Sequence, residues 1–146
     1  MNNLTVIKEK VEINQLNDTV FNYTIVADNW PTWQTFIVQA AQTSEGQVQV
    51  GSTFLGVTRL LGLNMKWSAE VNEYKPNFRW GKHITSGDIT LQENLLFEAL
   101  EEKTRLTLTY DMSIRGVFKI VSPLIVWAMQ NETKKSLNKL KDMIES

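Results

Sequence analysis

The chain has 146 residues, of which 42% are hydrophobic and 21% are charged, and its formal net charge is −1. This composition is typical of one globular domain, expected to span residues 1–146, and the balanced charge argues against binding to nucleic acid. With no cysteine and one histidine, disulfides and cysteine nucleophiles are excluded, and we expect neither a metal site nor a cofactor.

The first third of the sequence predicts one strand, two short helices and a weaker strand. Residues 4–13 alternate β-branched and charged side chains, as in a strand with one solvated face. Asn14 or Asn17 suits the cap of the helix that follows, and Pro31 suits the first turn of a second short helix. The weaker strand is expected over residues 36–43.

The middle of the sequence predicts strand after strand, joined by short turns. The clearest alternation places Leu106, Leu108, Tyr110, Met112 and Ile114 on one face. Such connections are too short for crossover helices, so we expect an antiparallel meander. The strands are predicted over residues 53–60, 65–74, 78–85, 89–99 and 105–114.

The C-terminal residues predict a long helix from Ser122 to about Glu145, with Ser122 as its cap and an apolar stripe that includes Met129. Ile120, Leu124 and Trp127 project roughly opposite that stripe. A helix that is apolar nearly all round is usually covered on both sides. We therefore expect either the apolar turn at residues 60–63 or a second subunit, in a homodimer, to cover Trp127.

Several short motifs, taken in order, resemble those of polyketide cyclase/dehydrase-like proteins in the START/Bet v 1 superfamily, also called SRPBCC. They cover almost the whole chain. The motifs are Val20-Phe21 with Asp28, Trp30-Pro31-x-Trp33, Val50-Gly51-Ser52-Thr53-Phe54, Val71-x-x-Tyr74-x-Pro76, Phe97 with Thr104-Arg105-Leu106-Thr107, and Leu137-x-x-Leu140-Lys141.

The resemblance implies an α+β helix-grip fold, with two short helices after strand 1. In it, a curved seven-stranded antiparallel sheet wraps around the long C-terminal helix, and an apolar cavity lies between them. The function it implies is non-covalent binding of a lipid, a polyketide or a quinone-like molecule. Two alternatives are an acid–base enzyme of the cyclase/dehydrase kind, acting on an aromatic polyketide, and a protein-partner or quinone-chaperone role.

Glu93 is the candidate polar residue of this cavity, because it interrupts an otherwise apolar strand face. A carboxylate there would need protonation or a buried Lys or Arg partner, and it could orient a ligand hydroxyl or act as a base. The alternative is a strand-end or bulge position where Glu93 turns to solvent. Enzymatic chemistry would require at least two convergent polar groups.

Large side chains on the same faces are the candidate cavity wall. We expect a pocket of roughly 300–1,000 Å³, the size of ordinary ligand sites, opening between the turn at residues 61–63 and the first half of the last helix. The predicted ligand-binding residues are Trp67, Trp80, Glu93, Phe97, Tyr110, Met112 and Met129.

His83 is the other residue suited to acid–base work, but an isolated strand histidine more often faces solvent. We expect His83→Ala to leave folding and ligand binding nearly intact. The most apolar run, at residues 117–129, is too short and too interrupted to span a bilayer. Residues 1–10 lack the apolar stretch of a signal peptide, which favours a cytoplasmic location.

Overall fold

The computed structural model describes residues 4–146, in which seven strands form one antiparallel sheet. The sheet order is β1-β7-β6-β5-β4-β3-β2, so consecutive strands are neighbours except that β1 closes against β7. This order confirms the predicted meander. The strands are β1 Leu4–Ile13, β2 Ile37–Gln42, β3 Thr53–Leu60, β4 Leu63–Lys75, β5 Arg79–Ser86, β6 Ile89–Leu100 and β7 Lys103–Ile114.

Two short helices, α1 (Asn17–Thr24) and α2 (Trp30–Trp33), follow β1, and α3 (Ser122–Glu145) ends the chain. Short 3₁₀ turns precede α2, at Ala27–Asn29, and α3, at Gly116–Lys119. The predicted helix-grip fold is therefore confirmed, with its curved sheet, its two short helices and its long C-terminal helix.

The predicted helix caps are wrong. The residue before α1 is Leu16, and the residue before α3 is Val121, and neither makes a side-chain cap hydrogen bond. Asn17 instead donates its side-chain amide to the carbonyls of Asn77 and Phe97. That amide is used to join α1 to the sheet, which is a tertiary requirement that local capping rules cannot anticipate.

The core lies between the concave face of the sheet and one side of α3. The buried stripe of α3 includes Ile125, Met129 and Leu137, and the C-terminal half of the helix packs against β1. At the opposite end of α3, the turn at residues 61–62 does not cover Trp127, which is 58% exposed. Cover by a second subunit stays a prediction. None of the helices in residues 4–146 is long and apolar enough to cross a membrane.

Candidate functional site

An internal cavity lies between the sheet and the first half of α3. Strands β2 to β7 all contribute to its lining, α2 contributes Trp30, and α3 contributes Ile125 and Met129. Its wall is apolar almost throughout, because these strands alternate buried apolar residues with exposed polar ones.

The cavity is much smaller than the sequence predicts. Its volume is about 60 Å³, against the roughly 300–1,000 Å³ of ordinary ligand sites. The reason is the size of its lining side chains: Trp30, Trp67 and Met129 project into the space that the curved sheet leaves. As it stands, the cavity has room for a few water-sized groups.

The polar centre of the cavity is an ion pair between Lys82 on β5 and Glu93 on β6. The two residues face each other directly across the strands, and the Lys82 ammonium contacts the Glu93 carboxylate. Each side chain is only 3% exposed. The Lys82 ammonium also lies 4.2 Å from the ring centroid of Trp30 and 4.6 Å from that of Trp80. Two aromatic faces and one carboxylate therefore replace the water that the cation loses.

Tyr110 on β7 is the third polar group of this centre, directly opposite Glu93 in the sheet register. Burial of the phenol raises the pKa of Tyr110 well above its ordinary value of 10, and the Glu93 carboxylate raises it further through its charge and as a hydrogen-bond acceptor. Tyr110 is thus a neutral hydroxyl donor at any ordinary pH. Lys82, Glu93 and Tyr110 form one continuous cluster across three adjacent strands, hereafter the polar cluster.

Trp67 on β4 packs directly on the backbone of β3, because the neighbouring residue there is a glycine. Gly56 on β3 pairs directly with Trp67, and the indole ring occupies the space that a Cβ at position 56 would need. The buried Trp67 Nε1–H has no hydrogen-bond partner within residues 4–146. A buried donor without a partner is uncommon in folded proteins and adds a second polar feature to this wall.

The structure brings five of the seven predicted site residues together at the cavity and places two elsewhere. Trp67, Glu93, Tyr110, Met112 and Met129 line the cavity. Phe97 does not, because it packs edge-on against Phe21 beneath α1, with ring centroids 5.3 Å apart. Trp80 does not line it either: its indole Nε1–H reaches Thr24 Oγ1 at 3.3 Å, and its ring lies behind Lys82.

Lys82 and Trp30 are the most consequential of the lining residues that the sequence prediction missed. Lys82 had a detectable signal, since it shares a face with Trp80 and Ile84, and a buried Glu93 requires a cation. Pairing residues 79–86 with 89–96 around the Gly87 turn would have placed Lys82 opposite Glu93. Trp30 had no such signal, because its position depends on how α2 folds over the sheet.

The arrangement can offer a neutral hydroxyl, a carboxylate and an ammonium to a bound molecule at one point of an apolar chamber. His83 takes no part, because its side chain is exposed on the opposite face of β5. Within residues 4–146, no group of three His, Asp or Glu side chains is placed to hold a metal ion.

Solved structures with similar folds agree with this description of the architecture. An aromatase/cyclase from Streptomyces sp. R1128 superimposes with a TM-score of 0.85 at 13% identity, covering 97% of this chain and 94% of its own. A protein from Thermus thermophilus gives 0.82 at 15% identity, over 96% and 97% of the two chains. A START superfamily protein from Mycobacterium smegmatis gives 0.74 at 13% identity, over 94% and 98%.

At such low identities these likenesses establish the fold alone. A search of the curated proteins gave no match. The sequence itself, however, matches a family described as "Polyketide cyclase / dehydrase and lipid transport" over residues 5–145. The chain therefore belongs to the polyketide cyclase/dehydrase and lipid transport family.

Proposed function

We propose that this protein binds a small hydrophobic molecule non-covalently in the cavity, with a polar end of the ligand against the polar cluster. The observation that carries the proposal is the burial of Lys82, Glu93 and Tyr110 in an otherwise apolar wall. A buried ion pair contributes little to stability, and well-packed hydrophobic residues in its place are often neutral or stabilising. A role in ligand recognition accounts for its presence in this core.

The ligand must enlarge the cavity to enter it. Met65, Met112 and Met129 line the wall, and methionine is the apolar side chain that repacks at least cost. The opening is expected between the β3–β4 turn and the first half of α3, where Leu60 and Ile125 border the cavity. A slender acyl chain or a planar ring system with a hydroxyl or carbonyl fits these constraints.

Binding of chemically defined probes tests the proposal. A panel of fatty acids, quinones and aromatic polyketides is titrated while tryptophan emission and the melting temperature are followed. Trp67 lies in the wall, so a bound probe should alter its emission, and a ligand that binds the native state should raise the melting temperature. Micromolar binding by at least one class is the expected result.

Two matched variants separate cavity binding from adsorption to the surface. Leu91→Phe should fill the cavity and abolish binding, because Leu91 lines it. Leu95→Met, at a buried position of the same strand that lies outside the cavity, should bind normally. Equal binding by both variants, or no binding by any probe, would contradict the proposal.

Acid–base catalysis is the second candidate, and the polar cluster specifically favours it. Enzymatic chemistry needs at least two convergent polar groups, and three side chains meet here. Glu93 would act as the base and Tyr110 as the hydroxyl that binds the substrate carbonyl. Incubation with an aromatic polyketide precursor, followed by mass spectrometry, distinguishes turnover from binding; Glu93→Gln should retain binding and lose turnover.

A further inference from the structure

A group of exposed apolar side chains surrounds one end of the molecule. The group comes from three segments: the β3–β4 turn (residues 59–66), the β5–β6 turn (residues 86–89) and the approach to α3 (residues 115–127). We call these three segments together the mouth surface. All three meet there, because Leu60, Ile89 and Ile125 border the same cavity and the Arg115 N–H donates to the Asp88 carbonyl at 3.0 Å.

The apolar exposure at this end is unusual for a protein surface. Ile120 is 85% exposed and Val117 is 77% exposed, the two highest values among the large hydrophobic residues of the described chain. Contiguous apolar patches of this kind generally mark interaction sites. Further members of the group are Leu61, Leu63, Val121, Leu124 and Trp127.

The β3–β4 turn keeps a leucine where the backbone does not favour one. Leu61 has φ 54°, in the left-handed region that Gly and Asn occupy at lower cost. Its side chain is nevertheless apolar and directed to solvent. Neither local geometry nor core packing explains a leucine at this position, so the explanation must lie in what the turn contacts.

The mouth surface is also positively charged, although the whole chain has a net charge of −1. Arg59, Lys66, Arg115 and Lys119 stand against one acidic residue, Asp88, which leaves this end at +3. Within residues 4–146, none of the four cations forms a salt bridge. The cations are therefore free to attract an anionic partner.

We infer that the mouth surface docks on an anionic lipid bilayer, with its apolar side chains in the interfacial region and its cations at the headgroups. The exposed apolar residues come from separate segments of the chain: Leu61 and Leu63 from the β3–β4 turn, Val117 and Ile120 from the segment before α3, and Trp127 from α3 itself. A fluid bilayer accepts apolar side chains from separate segments without a fitted shape, whereas a protein partner would need a complementary one. An exposed tryptophan beside basic residues is the composition found at membrane interfaces.

Docking at this end would place the cavity opening against the lipid. Apolar ligands could then pass between bilayer and cavity without crossing water, which links the surface to the proposed function. The docking itself does not depend on that function, and it is measured separately.

Co-sedimentation with lipid vesicles tests the inference. Vesicles of phosphatidylcholine and phosphatidylglycerol in equal parts should retain the protein, and vesicles of phosphatidylcholine alone should retain far less. Added salt should release it, because surface potentials are screened. Trp127 provides a second readout: the other four tryptophans are buried, so a blue shift on vesicle binding should disappear in Trp127→Phe while binding persists.

Three variants and one control decide which residues act. Lys119→Ala should weaken vesicle binding by roughly five-fold, the effect of one basic residue near an anionic surface, and Ile120→Glu should weaken it more. Leu61→Asn should weaken binding while leaving the melting temperature unchanged or higher, since Asn tolerates the left-handed backbone. Leu96→Glu is the control, because it adds the same charge to an exposed leucine at the opposite end of the sheet, and should bind like the parent.

Two results would overturn the inference. If the parent protein does not bind anionic vesicles, the surface serves a protein partner. If sedimentation equilibrium finds a dimer that Ile120→Glu disperses, the surface joins two copies of the chain. Failure of the small-molecule panel with intact vesicle binding would count against the proposed function alone.

Discussion

The Lys82–Glu93 ion pair governs the energetics of the site at the level of single residues. Each side chain is only 3% exposed, and the Lys82 ammonium contacts the Glu93 carboxylate directly. Truncating one partner leaves the other as an uncompensated buried charge, whereas replacing both removes the two charges and leaves only the Tyr110 hydroxyl without its acceptor. The two kinds of substitution should therefore have very different effects on stability.

We expect Lys82→Met and Glu93→Leu each to lower the free energy of unfolding by about 3–5 kcal/mol, and the double variant to recover most of that loss. Urea unfolding of the four proteins measures the coupling. If the proposed function is right, the recovered double variant should still fail to bind the apolar probes. Additive losses would contradict the tight pairing seen in the structure.

Tyr110→Phe tests the polar cluster through its pH dependence. At neutral pH the variant leaves Glu93 without one donor and should lose about 1–3 kcal/mol of unfolding free energy. Because burial raises the pKa of Tyr110 in the folded state, its contribution is complete below the unfolded pKa of about 10 and declines as the pH rises above it.

The difference in unfolding free energy between parent and Tyr110→Phe should consequently shrink above about pH 10. Urea titrations at neutral and alkaline pH supply the comparison. The two proteins differ only at this hydroxyl, so the comparison isolates Tyr110. A difference that stays constant with pH would mean that Tyr110 is not the buried neutral donor described here.

At the level of elements, the contact between β3 and β4 depends on Gly56. A Cβ there would overlap the Trp67 ring and lie 2.6 Å from the Gln39 carbonyl oxygen on β2. The clash is steric, since Gly56 is not among the residues with positive φ. It involves a backbone atom as well as a side chain, so rotation of Trp67 alone cannot relieve it.

Gly56→Ala should therefore lower the free energy of unfolding by about 1–3 kcal/mol, the usual effect of overpacking. Thermal unfolding measures it, and Gly62→Asn is the matched control, because Gly62 has no neighbour within 4 Å and Asn tolerates its φ of 78°. Equal losses in the two variants would show that the tight β3–β4 contact does not constrain the sheet.

Packing and strand pairing are more extensive at one end of the molecule than at the other. The C-terminal half of α3 is packed against β1, and β6 and β7 pair in continuous register over twelve residues. The mouth surface, in contrast, consists of two turns, a 3₁₀ segment and the start of α3, all with exposed side chains. Local stability against opening should accordingly be lowest at the mouth surface and rise towards the end of the molecule where α3 packs against β1.

Hydrogen exchange of the native protein should show this gradient. We expect the slowest amide exchange in β6 and β7 and the fastest in residues 61–62 and 116–121. A bound apolar probe should slow exchange in these two fast segments. Edge strand β2, which has a register irregularity between Ile37 and Gln39, should exchange at intermediate rates. Uniform protection along the chain would contradict opening at the mouth.

The sequence alone determined the architecture, because periodicity, turn composition and length act locally. The alternation in β7 and its neighbours predicted an antiparallel meander, and the apolar stripe predicted a long C-terminal helix. The ordered motifs resembled a known family, and that resemblance supplied the helix-grip arrangement of the two. Strand alternation also predicted that Tyr110 and Met112 face the cavity, and it made Glu93 a candidate for the same face, since side-chain direction in a strand has a strict period of two.

Only the tertiary structure decided the volume of the cavity and part of its lining. Its volume of about 60 Å³ results from how Trp30 and Trp67 meet across elements far apart in sequence. The same is true of Phe97, which satisfies the strand pattern but lies under α1. Lys82 became a site residue because the β5–β6 register places its ammonium on Glu93. Periodicity specifies which face a side chain occupies, whereas volume, pairing and exposure depend on what the folded chain brings to that face.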